Sequence, residues 1–228
     1  MSDYYCAGPI HTIFLLVILG VGAVIEWNTL GRLSEMSNVQ RFRLYVVTLL
    51  FEWFLFVYVI AGVRRRGFPL AIVLGNRGHS GRQVLKDLGI AAAFWIVSFV
   101  ILLVVARLIR AGPSGRSIEL MLPRTYGELT MWIALSITAG ICEEAIFRGY
   151  LQRQFITLTR STTAGIILSA AVFGAAHMYQ GPRMVILIAI YGAMFGILAY
   201  WRGTVRPGML AHAWQDAVNG IVAALTRH

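Results

Sequence analysis

Seven apolar runs, each long enough or nearly long enough to cross a bilayer, decide the fold class of this chain before any motif is read. They lie at about 10–27, 44–63, 88–106, 128–147, 164–177, 184–201 and 209–225. A helix needs ~20 apolar residues to span the hydrocarbon core. In that medium every backbone N–H and C=O must be satisfied internally, which leaves only helices and closed barrels. A barrel would be written as alternating segments of ~10 residues, whereas these runs are continuous. Composition agrees: 58% of the 228 residues are hydrophobic and 13% charged, against about one quarter charged in a soluble domain. The expectation is an all-α, polytopic transmembrane bundle of about seven spans in the cell membrane. The fifth run is short for a full crossing, so it tilts or begins inside the membrane.

The net charge of +10 is carried almost wholly by arginine, with Lys86 the single lysine. In a membrane-spanning chain such charge sits in the loops and meets lipid headgroups, which makes membrane lipid a partner. No basic helix or aromatic platform supports a nucleic-acid partner. Arg64-Arg65-Arg66 directly follows the second run and favours the cytoplasm for that loop, which puts the N-terminus on the same side. The N-terminus lacks the basic region of a cleavable signal, so the first run is a retained span. Residues 64–87 are Gly- and Arg-rich and read as a polar connector on the membrane surface, with Gly75-Asn76-Arg77-Gly78-His79 at the centre. Residues 110–124 read as a linker. Residues 148–160 read as an amphipathic continuation of the fourth helix at the interface, with Tyr150, Leu151, Phe155 and Leu158 opposite Arg153 and Gln154. The chain divides into residues 1–127, three spans with basic loops, and residues 128–228, a four-span catalytic core. Cys6 and Cys142 do not make a disulfide framework.

Against this apolar background the ionisable residues stand out, because each costs several kcal/mol at membrane depth unless it pairs or faces a polar cavity. Glu143-Glu144-x-x-x-Arg148 closes the fourth run. Glu144 and Arg148 share a helix face and can pair; Glu143 is rotated by about 100° and is left to do chemistry. Phe173-x-x-x-His177 ends the fifth run and His212-x-x-x-Asp216 opens the seventh, each pair lying on one face. Glu52 lies mid-way along the second run and should face the bundle with a partner; Glu26 ends the first. Gly192 and Gly196 form a G-x-x-x-G pair that marks close packing.

A carboxylate and an imidazole converging on one water make a general base, and a second imidazole can stabilise an oxyanion. No serine, threonine or cysteine stands in a comparable setting, so covalent acyl transfer lacks a nucleophile. Water attack on an amide suits this inventory. Glu143, His177 and His212 could equally hold zinc with an open position for water, although there is no H-E-x-x-H helix. Spacing leaves the two open. A non-catalytic immunity or transport protein is the rival class; a transporter would show repeat halves, and none is visible.

Glu143-Glu144-x-x-x-Arg148, Phe173-x-x-x-His177 and His212-x-x-x-Asp216, in that order on membrane spans, resemble the motif set of the CAAX protease and bacteriocin-processing (CPBP, or Abi) family. That family of intramembrane proteases includes the type II CAAX prenyl endopeptidases. Tyr191-Gly192 and Pro207-Gly208-Met209-Leu210-Ala211 also match, and the likeness covers about residues 138–219. The resemblance implies an intramembrane endopeptidase acting on a membrane-anchored protein or peptide. It implies Glu143 as general base with His177, Glu144 and Arg148 as a structural pair, and His212 as oxyanion stabiliser. The last motif often ends in asparagine; Asp216 accepts hydrogen bonds but, ionised, donates none, so it orients His212 or is held protonated. Phe173 and Glu52 are read as supporting residues. No cofactor is required on this reading, with zinc as the alternative.

Overall fold

Helix ends are written locally in this chain. Ser37 caps α2 (Asn38–Arg65) with a full capping box, its Oγ accepting from Gln40 N and Gln40 Oε1 accepting from Ser37 N. Ser80, Thr125 and Ser161 cap α4 (Gly81–Leu108), α6 (Tyr126–Glu143) and α8 (Thr162–Ala176) through the side-chain oxygen alone, which accepts from Gln83, Glu128 and Ala164 N. Pro182 opens α9 (Pro182–Arg202), and Gly203 closes it in the left-handed region at φ 65°. The remaining elements are α1 (Pro9–Leu30), α3 (Ala71–Leu74), α5 (Arg116–Met121), α7 (Gln152–Thr159) and α10 (Arg206–Thr226), with a π turn at Glu144–Leu151 and a 3-10 turn at Met178–Gln180. The computed structural model describes residues 5–30, 33, 35–75, 80–110 and 116–226, which contain no strand.

The fold is the all-α membrane bundle the apolar runs call for. Among the described residues, five helical stretches can by length and composition cross a bilayer: Pro9–Leu30, Asn38–Arg65, Gly81–Leu108, Tyr126–Thr159 and Pro182–Arg202. The 15-residue α8 and the more polar α10 complete a set of seven. The outward faces stay apolar, as lipid requires: Ile10, Phe14, Val17 and Val21 of α1 and Ile96, Val97, Val100 and Val104 of α4 are exposed. α6 packs between α2 and α10, α8 against α9, and α4 against α9 and α10.

Three connecting segments differ from their sequence reading. Residues 148–160 continue the fourth helix, but the split of faces differs: Gln154 of the expected polar face is buried and Leu158 of the expected apolar face is exposed. All eight residues of the π turn are buried, Tyr150 and Leu151 completely. Gln154 is 2% exposed because both ends of its amide meet the N-terminal segment: Oε1 accepts from Cys6 N at 2.9 Å, and Nε2 donates to Thr12 Oγ1 at 2.7 Å. The Thr12 and Tyr150 hydroxyls then meet at 2.9 Å, and Tyr150 reaches His11 Nδ1 at 3.0 Å. His11 Nε2 carries a proton because its neighbour at 3.0 Å is the Tyr58 carbonyl, which only accepts. One polar chain thus ties α1, α2 and α7 together. Within the expected linker, α5 forms and buries Leu120 and Met121 against Leu30 and Met36; residues 111–115 lie outside the described residues. Within the expected surface connector, α3 seats a buried Val73 on the π turn. The central 76–79 likewise lie outside the described residues.

Candidate active site

The carboxylates sit where the helix changes its winding. α6 ends at Glu143, and from Glu144 the chain runs as a π turn before α7 resumes the α-helix. An i→i+5 turn is wider than an α turn, and such turns are frequent at functional sites. Glu144 Oε1 accepts from Arg148 Nη1 at 2.9 Å, with both side chains buried. The Arg148 guanidinium also lies over three rings, 4.1 Å from Phe173, 5.1 Å from Phe195 and 5.9 Å from Phe147. The cation is held by one carboxylate and an aromatic box, a geometry that favours Arg over Lys.

His212 enters this cluster from the second turn of α10. Its Nδ1 is 3.1 Å from Glu144 Oε1. Glu144 is already paired with Arg148, so its carboxylate accepts and Nδ1 carries the proton. The other nitrogen, Nε2, faces Glu143 Oε2 at 3.7 Å and Asp216 Oδ2 at 3.6 Å. Phe195 stacks on the imidazole at 5.4 Å between ring centroids, and Phe173 meets it edge-on at 6.1 Å. The ring is therefore fixed on two sides by aromatics and at Nδ1 by Glu144. Glu144 thus touches both Arg148 and His212, a second contact that helical spacing alone does not reveal.

His177 caps α8. Its Nδ1 lies 2.9 Å from the Phe173 carbonyl, so that nitrogen donates and a neutral ring keeps Nε2 as an acceptor. Fifteen residues span only ~22 Å at 1.5 Å each, short of the ~30 Å hydrocarbon core. α8 thus ends at His177 before it is long enough to cross the bilayer by itself. His177 lines one cavity of about 990 Å³ with Glu143, His212 and Asp216. Glu143 is 17% exposed, with its Oε2 free of any hydrogen bond. Glu52 and Glu26 line the same cavity; contrary to the expectation of a partner, Glu52 Oε2 has none.

Glycines let the helices come this close. A Cβ on Gly140 would lie 2.6 Å from the Met209 carbonyl, where α6 crosses α10. One on Gly192 would lie 3.2 Å from Arg148 Nη2, and one on Gly208 3.1 Å from Glu144 Oε2. Trp132 Nε1 donates to the Asp216 carbonyl at 2.7 Å and pins α10 against α6. Sequence reasoning passed over Trp132 and the second contact of Glu144, and named Glu26 without giving it a role; the Trp and Glu26 carry no local motif. Neither cysteine offers a nucleophile. Both are buried and unpaired, and burial pushes the Cys6 thiol up to about 11. Among the described residues no group of three or more His, Cys, Asp or Glu is arranged as a metal-ligand set.

Residues 125–218 match the family model described as Type II CAAX prenyl endopeptidase Rce1-like. The matched stretch runs from the cap of α6 into α10 and includes Glu143, Glu144, Arg148, Phe173, His177, His212 and Asp216, while α1 to α5 lie before it. No curated protein and no solved structure matches the chain.

Proposed function

Taking residues 125–218 as a CAAX-protease-family segment within a multi-pass membrane protein, we propose that the chain hydrolyses a peptide bond of a membrane-associated protein or peptide, with water as the nucleophile. The observation that carries this reading is the meeting of an unengaged Glu143 carboxylate oxygen with the Nε2 edge of His212 at 3.7 Å, in a cavity also lined by His177. Glu143 takes a proton from water as its oxygen attacks the scissile carbonyl carbon, and the Nε2 acceptor of His177 holds the same water. His212, in its doubly protonated form with Nδ1–H anchored by Glu144, donates from Nε2–H to the developing oxyanion. Collapse of the tetrahedral intermediate breaks the C–N bond, and the proton held by Glu143 passes to the leaving amine. Asp216, 3.6 Å from Nε2, orients the imidazole.

Glu144 and Arg148 take no proton in this scheme; they hold His212 and the π turn in place. No step passes through a metal. The full-length chain in detergent, incubated with membrane-anchored peptides and read by mass spectrometry, provides the test. Cleavage by the wild type, lost by ~10²–10⁴-fold in Glu143→Gln, is the expected result. A folded Glu143→Gln variant that cleaves normally overturns it.

A further inference from the structure

The cavity contradicts the charge of the chain that builds it. The protein carries a net +10, yet five of its ten acidic residues, Glu26, Glu52, Glu119, Glu143 and Asp216, line this one space. Among the described residues none of its twenty arginines and lysines does. A cleft of one sign with low-dielectric walls concentrates ligands of the opposite sign. Acidic residues in number are not yet a site, but Glu52 supplies a separate observation. It sits mid-way along α2, is 7% exposed, lines the cavity and leaves Oε2 without a hydrogen-bond partner. The carboxylates of Glu143, Asp216 and Glu26 lie within electrostatic reach of it. A buried carboxylate among others is stable only when a cation joins it or a proton neutralises it.

Glu26 and Glu52 are contributed by α1 and α2, outside the matched stretch 125–218, so this wall belongs to the N-terminal half. The cavity, at about 990 Å³, is far larger than one water requires and is of a size for peptide side chains. We propose that the Glu26–Glu52 wall is a cation subsite that takes a lysine or arginine side chain of the substrate peptide, beside the bond presented to Glu143. The occupant rests on the protease reading; the charge preference of the cavity does not.

The test uses the full-length chain in detergent and fluorescein-labelled peptides with one palmitoyl anchor, identical except for a single residue walked along the peptide as Lys, Arg, Gln or Glu. Binding is read by anisotropy on Glu143→Gln, and cleavage on the wild type. At one position Lys and Arg peptides bind about tenfold or more tighter than Gln, the scale of a desolvated charge pair, and Glu peptides bind weakest. Adding Glu52→Gln brings the Lys-to-Gln ratio close to one. Equal binding of Lys and Gln peptides at every position by Glu143→Gln overturns the subsite, and so does a preference that survives both Glu52→Gln and Glu26→Gln. If Glu52→Gln does not fold, the Glu143→Gln comparison and Glu26→Gln decide alone. Lys-selective binding without wild-type cleavage leaves the subsite standing and removes the protease; cleavage indifferent to charge does the reverse.

Discussion

Glu143 and Glu144 are neighbours in sequence and opposites in environment, which makes them a discriminating pair of mutations. Glu144 is wholly buried, and its Oε1 serves both Arg148 at 2.9 Å and His212 at 3.1 Å. Removing one member of a buried ion pair strands the other charge and costs about 3–5 kcal/mol. Glu144→Ala and Arg148→Ala are therefore expected to lower the melting temperature sharply in detergent and to reduce the yield of folded protein. Glu143 has no such partner, so Glu143→Gln should melt like the wild type while losing turnover. A Glu144→Ala protein as stable as the wild type would show that the pair does not hold the π turn. His212 is the intermediate case. On the proposed mechanism His212→Ala removes the oxyanion donor and is expected to lower kcat by ~10²–10³-fold, with a smaller loss of stability because the buried Glu144–Arg148 pair remains.

At the scale of elements, the site depends on how closely α10 lies against α6. Gly140 has no room for a side chain, since the Met209 carbonyl would stand 2.6 Å from its Cβ. Three residues along α10, His212 reaches Glu144 from the position this contact sets. Gly140→Ala is expected to push the two helices apart, lowering both melting temperature and kcat. Gly127, on the same helix, is the control: nothing lies within 4 Å of its added Cβ. An alanine there improves helix propensity by up to ~1 kcal/mol, so Gly127→Ala should leave kcat unchanged and hold or raise the melting temperature. Equal behaviour of the two variants, measured side by side, would remove the close contact from the account of catalysis. The π turn gives no comparable warning in sequence. Glu144–Leu151 contains no proline that separates an i→i+5 from an i→i+4 turn, and the buried Glu144, Arg148 and Tyr150 all fall within it.

What could be read from the whole chain, and what could not, follows from the range of the forces involved. Lipid imposes length and apolarity on each span separately, so the seven runs coincide with helices to within a few residues at most ends, and serine or threonine caps mark several starts. The residue types that line the cavity were legible for the same reason, because each is costly in lipid on its own account. Contacts between distant parts were not. Arg41 pairs with Glu128 at 2.8 Å across 87 residues, and Gln154 meets Cys6 across 148. Nothing near either end of those pairs announces the other. These contacts have a consequence for where the molecule can be cut. α1 supplies Leu19, Ala23 and Glu26 to the cavity, and through Thr12 and His11 it satisfies the Tyr150 hydroxyl beside the π turn. A chain lacking residues 1–35 would open one wall of the cavity and leave Gln154 and Tyr150 buried without partners, each costing about 1–3 kcal/mol. We expect that deletion to lose a monodisperse peak on gel filtration and all peptide cleavage, although every residue of the matched stretch is retained. A stable, active deletion would show instead that the chain from α2 onward folds and works without α1, and that α1 serves only as an additional anchor in the membrane.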